Sequence, residues 1–123
     1  MTMVNKTDKI LLLAKALKEA NEAAENAAKG VDDGGTCNLD TVIIKLKRWR
    51  ETDISMLAGE SGIELSDKLS GWWNGYRFIR FRDWGMANRR TTAVEAAYKS
   101  LKESCKAIFD DDEYSVGVYY AMD

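Results

Sequence analysis

The sequence contains no histidine and no proline. Without imidazole there is no Ser-His-Asp or Cys-His pair, no histidine general base and no zinc site that needs His. Without proline there are no cis-Pro turns and no proline-rich linkers. Cysteine is scarce. Cys37 and Cys105 are the only two, too far apart for a C-x-x-C motif. Such usage fits neither a disulfide framework nor a metal site, so two free thiols in a cytosolic protein are expected. The longest unbroken apolar run, Ile10 to Ala14, is five residues. It predicts neither a transmembrane helix nor a signal-peptide core.

What is present is ordinary for a globular chain. Its 123 residues are 46% hydrophobic and 31% charged, which suits one compact unit able to bury a core without disulfides or metal. The net charge of -2 is unevenly distributed: residues 1–40 carry -2, residues 41–92 carry +4 and residues 93–123 carry -4. A basic middle is thus flanked by acidic ends, unlike the balance of a general DNA coat protein.

Periodicity predicts a helix from about Asp8 to Lys29, with Thr7 as N-cap, Gly30 as stop, and Ile10, Leu13, Leu17, Ala20, Ala24 and Ala27 on one stripe. The alanine half buries little area and is expected to pack loosely or project. Lys29 to Asn38 reads as a Gly- and Asp-rich linker. Thr41 to Lys47 alternates as a half-buried strand, with Val42, Ile44 and Leu46 on one face. Thr52 or Asp53 is placed to cap a short helix ending at Gly62. Leu65 to Trp73 and Tyr76 to Arg82 flank Asn74-Gly75, a strong two-residue hairpin signal. Thr92-x-x-Glu95 reads as a capping box for a helix to about Phe109. Its stripe is Val94, Ala97, Tyr98, Leu101, Cys105 and Ile108. Tyr114 to Met122 alternates again as a strand.

The order after the first helix is β-α-β-β-α-β. This predicts an α+β chain with the ferredoxin-like two-layer sandwich and an additional N-terminal helix. Residues 1–34 would form the helix and linker, and residues 35–123 the ferredoxin-like domain.

Four constellations bear on function. Trp73, Tyr76, Phe78, Arg80 and Arg82 share one face of the hairpin if Ile79 and Phe81 meet the helices; aromatics beside cations can stack bases and neutralise phosphates. In the opposite register the same aromatics are core. Lys45, Lys47, Arg48, Trp49 and Arg50 gather four cations at the end of the first strand, where they either hold phosphate or an acidic protein surface or are a solvated strand end. Arg89 and Arg90 precede the 92–109 helix, whose free amides suit an anion, although no Walker or G-x-G-x-x-G pattern is present. Asp110 to Glu113 reads as a solvated turn. Cys105 lies on an apolar stripe and reads as core. No base–nucleophile pair, metal set or cofactor motif can be named, so a non-enzyme without cofactors is expected.

Three stretches, GTCNLDTVIIKL with RWR just after it, NRRTTAVEAAYKSL and the terminal VYYAMD, resemble a family of small uncharacterised proteins encoded by phages and prophages of gut Firmicutes. The likeness covers roughly residues 35–123. Trp84-Gly85-Met86-Ala87 departs from that family's Gly-rich turn, which removes the support for a shared role of this loop. The resemblance implies a phage context and a cytoplasmic location in the bacterial host. In that context the expected function is non-enzymatic binding of a host defence protein or ribonucleoprotein, as an anti-CRISPR-like or other anti-defence inhibitor. Lys47, Arg48, Trp49, Arg50, Arg89 and Arg90 would form its basic contact patch, because the end of the first strand and the start of the 92–109 helix are expected at one rim. The alternative is a nucleotide or single-stranded nucleic-acid binder using the hairpin face.

Overall fold

A computed structural model describes residues 5–28, 40–62, 71–73, 76–83 and 90–120. The elements in chain order are α1 (Lys6–Ala28), β1 (Asp40–Lys47), α2 (Glu51–Ser61), β2 (Gly71–Trp73), β3 (Tyr76–Asp83), α3 (Arg90–Ile108) and β4 (Tyr114–Tyr120). The chain is α+β, with three helices and an antiparallel sheet in the order β2-β3-β1-β4.

β1 is the centre of the sheet because it alternates cleanly. Val42, Ile44 and Leu46 are fully buried, while Ile43, Lys45 and Lys47 between them are half-buried. β4 pairs beside it in unbroken register, Val118 opposite Val42 and Val116 opposite Ile44, so its two valines extend the same apolar face. On the other side Ile79 stands opposite Ile44. The β2–β3 pairing of Trp73 with Tyr76 and Trp72 with Arg77 is the one expected across Asn74-Gly75. That turn itself, Leu65–Ser70 and Met122 lie outside the described residues.

α3 covers β1 and β4, and α1 packs chiefly on α3 and also on α2. The core therefore joins Ile10, Leu13 and Leu17 of α1 to Leu57 of α2, Val94 and Leu101 of α3 and the β1 row. The alanine half of α1 does not project. Ala20 and Ala24 are fully buried. With Ala16 they form a small-residue seam at every fourth position, and Ala93 and Ala97 of α3 are buried as well. Small side chains let helix backbones approach closely, so what alanine lacks in area it returns in closeness.

Three caps differ from the sequence reading. Asn5, not Thr7, opens α1: its Oδ1 accepts the Asp8 N–H at 2.8 Å, and its carbonyl accepts the Lys9 N–H. Asn is among the strongest N-caps, which outranks Thr two residues later. α2 begins after Arg50, and Asp53 acts from its third position, accepting the Arg50 N–H at 2.8 Å. α3 begins at Arg90, which places Thr92 inside the first turn rather than at the cap. The expected stop at Gly62 is present: its φ of 66° is left-handed and its N–H bonds the Ala58 carbonyl at 3.1 Å.

Candidate partner-binding rim

Leu46 and Trp49 are both buried, with only two residues between them. A strand cannot bury positions three apart on one face, so the chain must reverse locally. Arg48 makes the reversal. Its φ is 66°, the one positive value of a non-glycine residue among the described residues. Trp49 then tucks under the sheet, 3% exposed, with its ring edge-on to Phe109 at 6.2 Å between centroids. The tryptophan expected to head the contact patch is therefore core. Its neighbours supply the reason: after a buried strand end, the next large apolar ring is worth most inside.

The reversal leaves Lys47 half-buried and Arg48 and Arg50 exposed. Other elements converge on this end of the sheet. From α1, the Lys6 ammonium donates to the Arg48 carbonyl and meets Asp53 at 3.3 Å. Lys9 grips both carboxylate oxygens of Glu113, at 3.0 and 2.9 Å, and lies 5.7 Å from the Phe109 ring centroid. The acidic turn after α3 is anchored as well. Glu113 accepts the Asp110 N–H at 2.9 Å, the Lys47 N–H donates to the Glu113 carbonyl at 2.9 Å, and the Tyr76 hydroxyl donates to the Asp112 carbonyl at 2.9 Å. Asp110, Asp111 and Asp112 stay exposed, whereas Glu113 is half-buried, so the solvated-turn expectation holds only for the three aspartates.

Lys9, Lys47, Arg48, Asp110, Asp112 and Glu113 enclose a cleft of about 230 Å³. Partial burial works against the Glu113 charge, but the Asp110 N–H, the Lys9 ammonium and the more distant Arg48 outweigh it and hold the carboxyl below its ordinary value. Lys9 and Glu113 thus neutralise each other. Lys47 and Arg48 make no side-chain hydrogen bond or ion pair with any described residue, and they line the cleft together with Asp110 and Asp112. The rim carries both signs.

Of the expected union of this cluster with Arg89 and Arg90, only the backbone of Arg90 is described, and it starts α3 away from the Lys47 end of β1. β1 and β3 are antiparallel, so Asp83 at the end of β3 stands opposite Thr41, at the far end of β1 from Lys47. α3 starts from that far end at Arg90 and returns to the rim only at Phe109. Its 19 residues span about 28 Å at about 1.5 Å per residue. Arg89 lies outside the described residues.

On the hairpin, Tyr76, Phe78 and Arg80 pair with Lys47, Lys45 and Ile43, the positions of β1 that alternate with its buried row. Arg82 leaves that line. A register shift between Val42 and Ile43 brings it opposite Val42. Tyr76 is half-buried and its hydroxyl is already engaged by Asp112.

Sequence reasoning missed Lys6, Lys9 and the anchoring role of Glu113. Lys9 and Glu113 are 104 residues apart, and nothing local marks either. Cys105 is buried, and burial pushes its thiol up to about 12; Cys37 lies outside the described residues. Among the described residues no group of three or more Cys, Asp or Glu could hold a metal ion, and no helix is long and apolar enough to cross a membrane. No protein-family model, no curated protein and no solved structure matches the chain.

Proposed function

We propose that the chain is a phage-type accessory protein that acts by binding, as an anti-CRISPR-like or other anti-defence inhibitor of a host protein or ribonucleoprotein in the bacterial cytoplasm. Its contact surface is the rim around Lys47, Arg48 and Arg50. The scaffold is read as the ferredoxin-like β-α-β-β-α-β sandwich with α1 added; the run β1-α2-β2-β3-α3-β4 and the strand order support that reading.

One observation carries the functional reading. Arg48 occupies a left-handed backbone position, which costs an ordinary residue about 1–2 kcal/mol and glycine almost nothing. Trp49 burial and the Lys6 bond to the Arg48 carbonyl hold the backbone there, yet neither uses the guanidinium. That side chain is exposed and lines the cleft. Inside the chain the guanidinium contributes only a longer-range attraction for Glu113 among the described residues. An arginine kept where glycine fits better therefore supports a contact outside the chain, and Arg is enriched among interface hot spots.

The two signs on the rim favour a protein surface over bare nucleic acid. Asp110 and Asp112 beside Lys47 and Arg48 repel a phosphate backbone, whereas a protein partner can offer both charges. The test is capture of partners from a lysate of a gut Firmicutes bacterium, with and without nuclease. Retention of a defence protein that survives nuclease, and that is lost when Lys47 and Arg48 are both changed to Glu, supports the reading. Retention of nucleic acid alone replaces it with the nucleotide or single-strand alternative, in which Trp73, Tyr76, Phe78, Arg80 and Arg82 carry the contact.

A further inference from the structure

β4 is an edge strand of seven residues, Tyr114–Tyr120, with no charged side chain. Its pairing with β1 is regular, without a bulge. Edges in monomeric proteins are usually blunted by charge, proline, a bulge or short length. The opposite edge, β2, has only three residues. β4 has none of these protections.

The direction of its amides follows from the ladder. Leu46 stands opposite Tyr114, and the Lys47 N–H bonds the Glu113 carbonyl. Residues 115, 117 and 119 of the strand therefore turn their amides toward β1. Tyr114, Val116, Val118 and Tyr120 turn theirs outward, where no described strand pairs with them. Val116 and Val118 pack on the core yet remain partly exposed.

The sequence of the strand, Tyr-Ser-Val-Gly-Val-Tyr-Tyr, reads almost the same in both directions about Gly117. Nothing in the single chain requires that glycine. Its φ is not left-handed, and a side chain added there would meet no atom within 4 Å. A glycine inside a strand weakens it, and often marks the close approach of another backbone.

We propose that β4 pairs antiparallel with β4 of a second copy of this chain about a two-fold axis at Gly117, joining the two sheets into one. Val116 then exchanges backbone hydrogen bonds with Val118 of the second copy, and Tyr114 stands opposite Tyr120. Gly117 meets its own counterpart as a non-hydrogen-bonded pair, the kind in which Cα atoms come closest, about 4.5 Å apart. The interface is isologous, and no like charges oppose each other along it. Because Tyr114 lies at the rim end of β4, the two-fold places the two rims at opposite ends of the joined strands.

Sedimentation of the full chain over about 1 µM to 1 mM, a range that brackets a modest interface of this kind, should show mass rising toward twice that of one chain. Gly117→Lys sets two ammonium groups opposite each other on the axis while adding a side chain to open space. It should keep the wild-type circular dichroism and raise the dissociation constant at least tenfold. In the wild type, exchange of the Val116 and Val118 amides should slow at least tenfold across the same concentration range. A single-chain mass throughout overturns the proposal, as does a dimer that Gly117→Lys leaves intact while those two amides exchange freely. Protection of these amides only by a foreign extended peptide also overturns it. Should Gly117→Lys fail to fold, the wild-type amide exchange decides alone.

Discussion

Replacing Trp49 with alanine removes an indole that is 3% exposed and sits edge-on to Phe109 at the joint between β1 and α2. An aromatic of this kind buries about 150–250 Å². At about 25 cal/mol per Å², that is about 4–6 kcal/mol. The alanine keeps a small part of it, and large-to-small truncations of buried aromatics cost about 3–5 kcal/mol. Whole-domain stabilities are about 5–15 kcal/mol, so the variant should lose a large fraction of its stability or unfold. Denaturant titration followed by far-ultraviolet circular dichroism should show the midpoint falling with an unchanged slope. Trp49→Phe retains a ring against Phe109 and should cost less than half as much. A Trp49→Ala protein within about 0.5 kcal/mol of wild type, the range of ordinary surface substitutions, would refute the placement of this ring in the core and return it to the contact surface.

Other consequences follow from single contacts. With its thiol pushed up to about 12 by burial, Cys105 should resist alkylation at pH 8 in the native state and react once denatured, as read by peptide mapping. Asn5→Ala removes the α1 cap and should cost about 1 kcal/mol in a denaturant titration; no loss would reassign the cap. Glu113 has a lowered folded-state value, so its ion pair with Lys9 contributes fully above the usual glutamate value of 4.5. That contribution is lost as pH falls through the lowered value. Glu113→Gln should therefore flatten this part of the stability–pH curve, and an unchanged curve would contradict the assignment.

The elements that announce themselves in the sequence are those whose apolar residues repeat locally. Val42, Ile44 and Leu46 could be read as a buried row by alternation alone, and they are one. The Gly62 stop and the Trp73–Tyr76 pairing rest on turn chemistry that acts over a few residues. The site was less legible because it is built from ends that meet across the chain. Lys6 reaches Arg48 and Asp53, and Lys9 reaches Glu113, from a helix whose own stripe reveals nothing of their partners. Trp49 misled for a related reason. Flanked by arginines it has the composition of an interface hot spot, but the left-handed turn at Arg48, which sends it inward, is a property no arginine advertises. Alternation alone also gives no strand direction: β1 and β3 are antiparallel, so β3 ends at Asp83 opposite Thr41, away from Lys47.

The central claim is that the Arg48 side chain is held at the rim for a partner rather than for the fold, and Arg48→Gly isolates it. Glycine relieves the left-handed backbone at a cost of about 0.5–1 kcal/mol in unfolded-state entropy, against about 1–2 kcal/mol of relieved strain. The thermal midpoint should stay the same or rise. Titration of wild type and variant against the partner captured from lysate should then show binding weakened at least tenfold in a protein no less stable. Binding at wild-type strength by a folded Arg48→Gly protein would contradict the account.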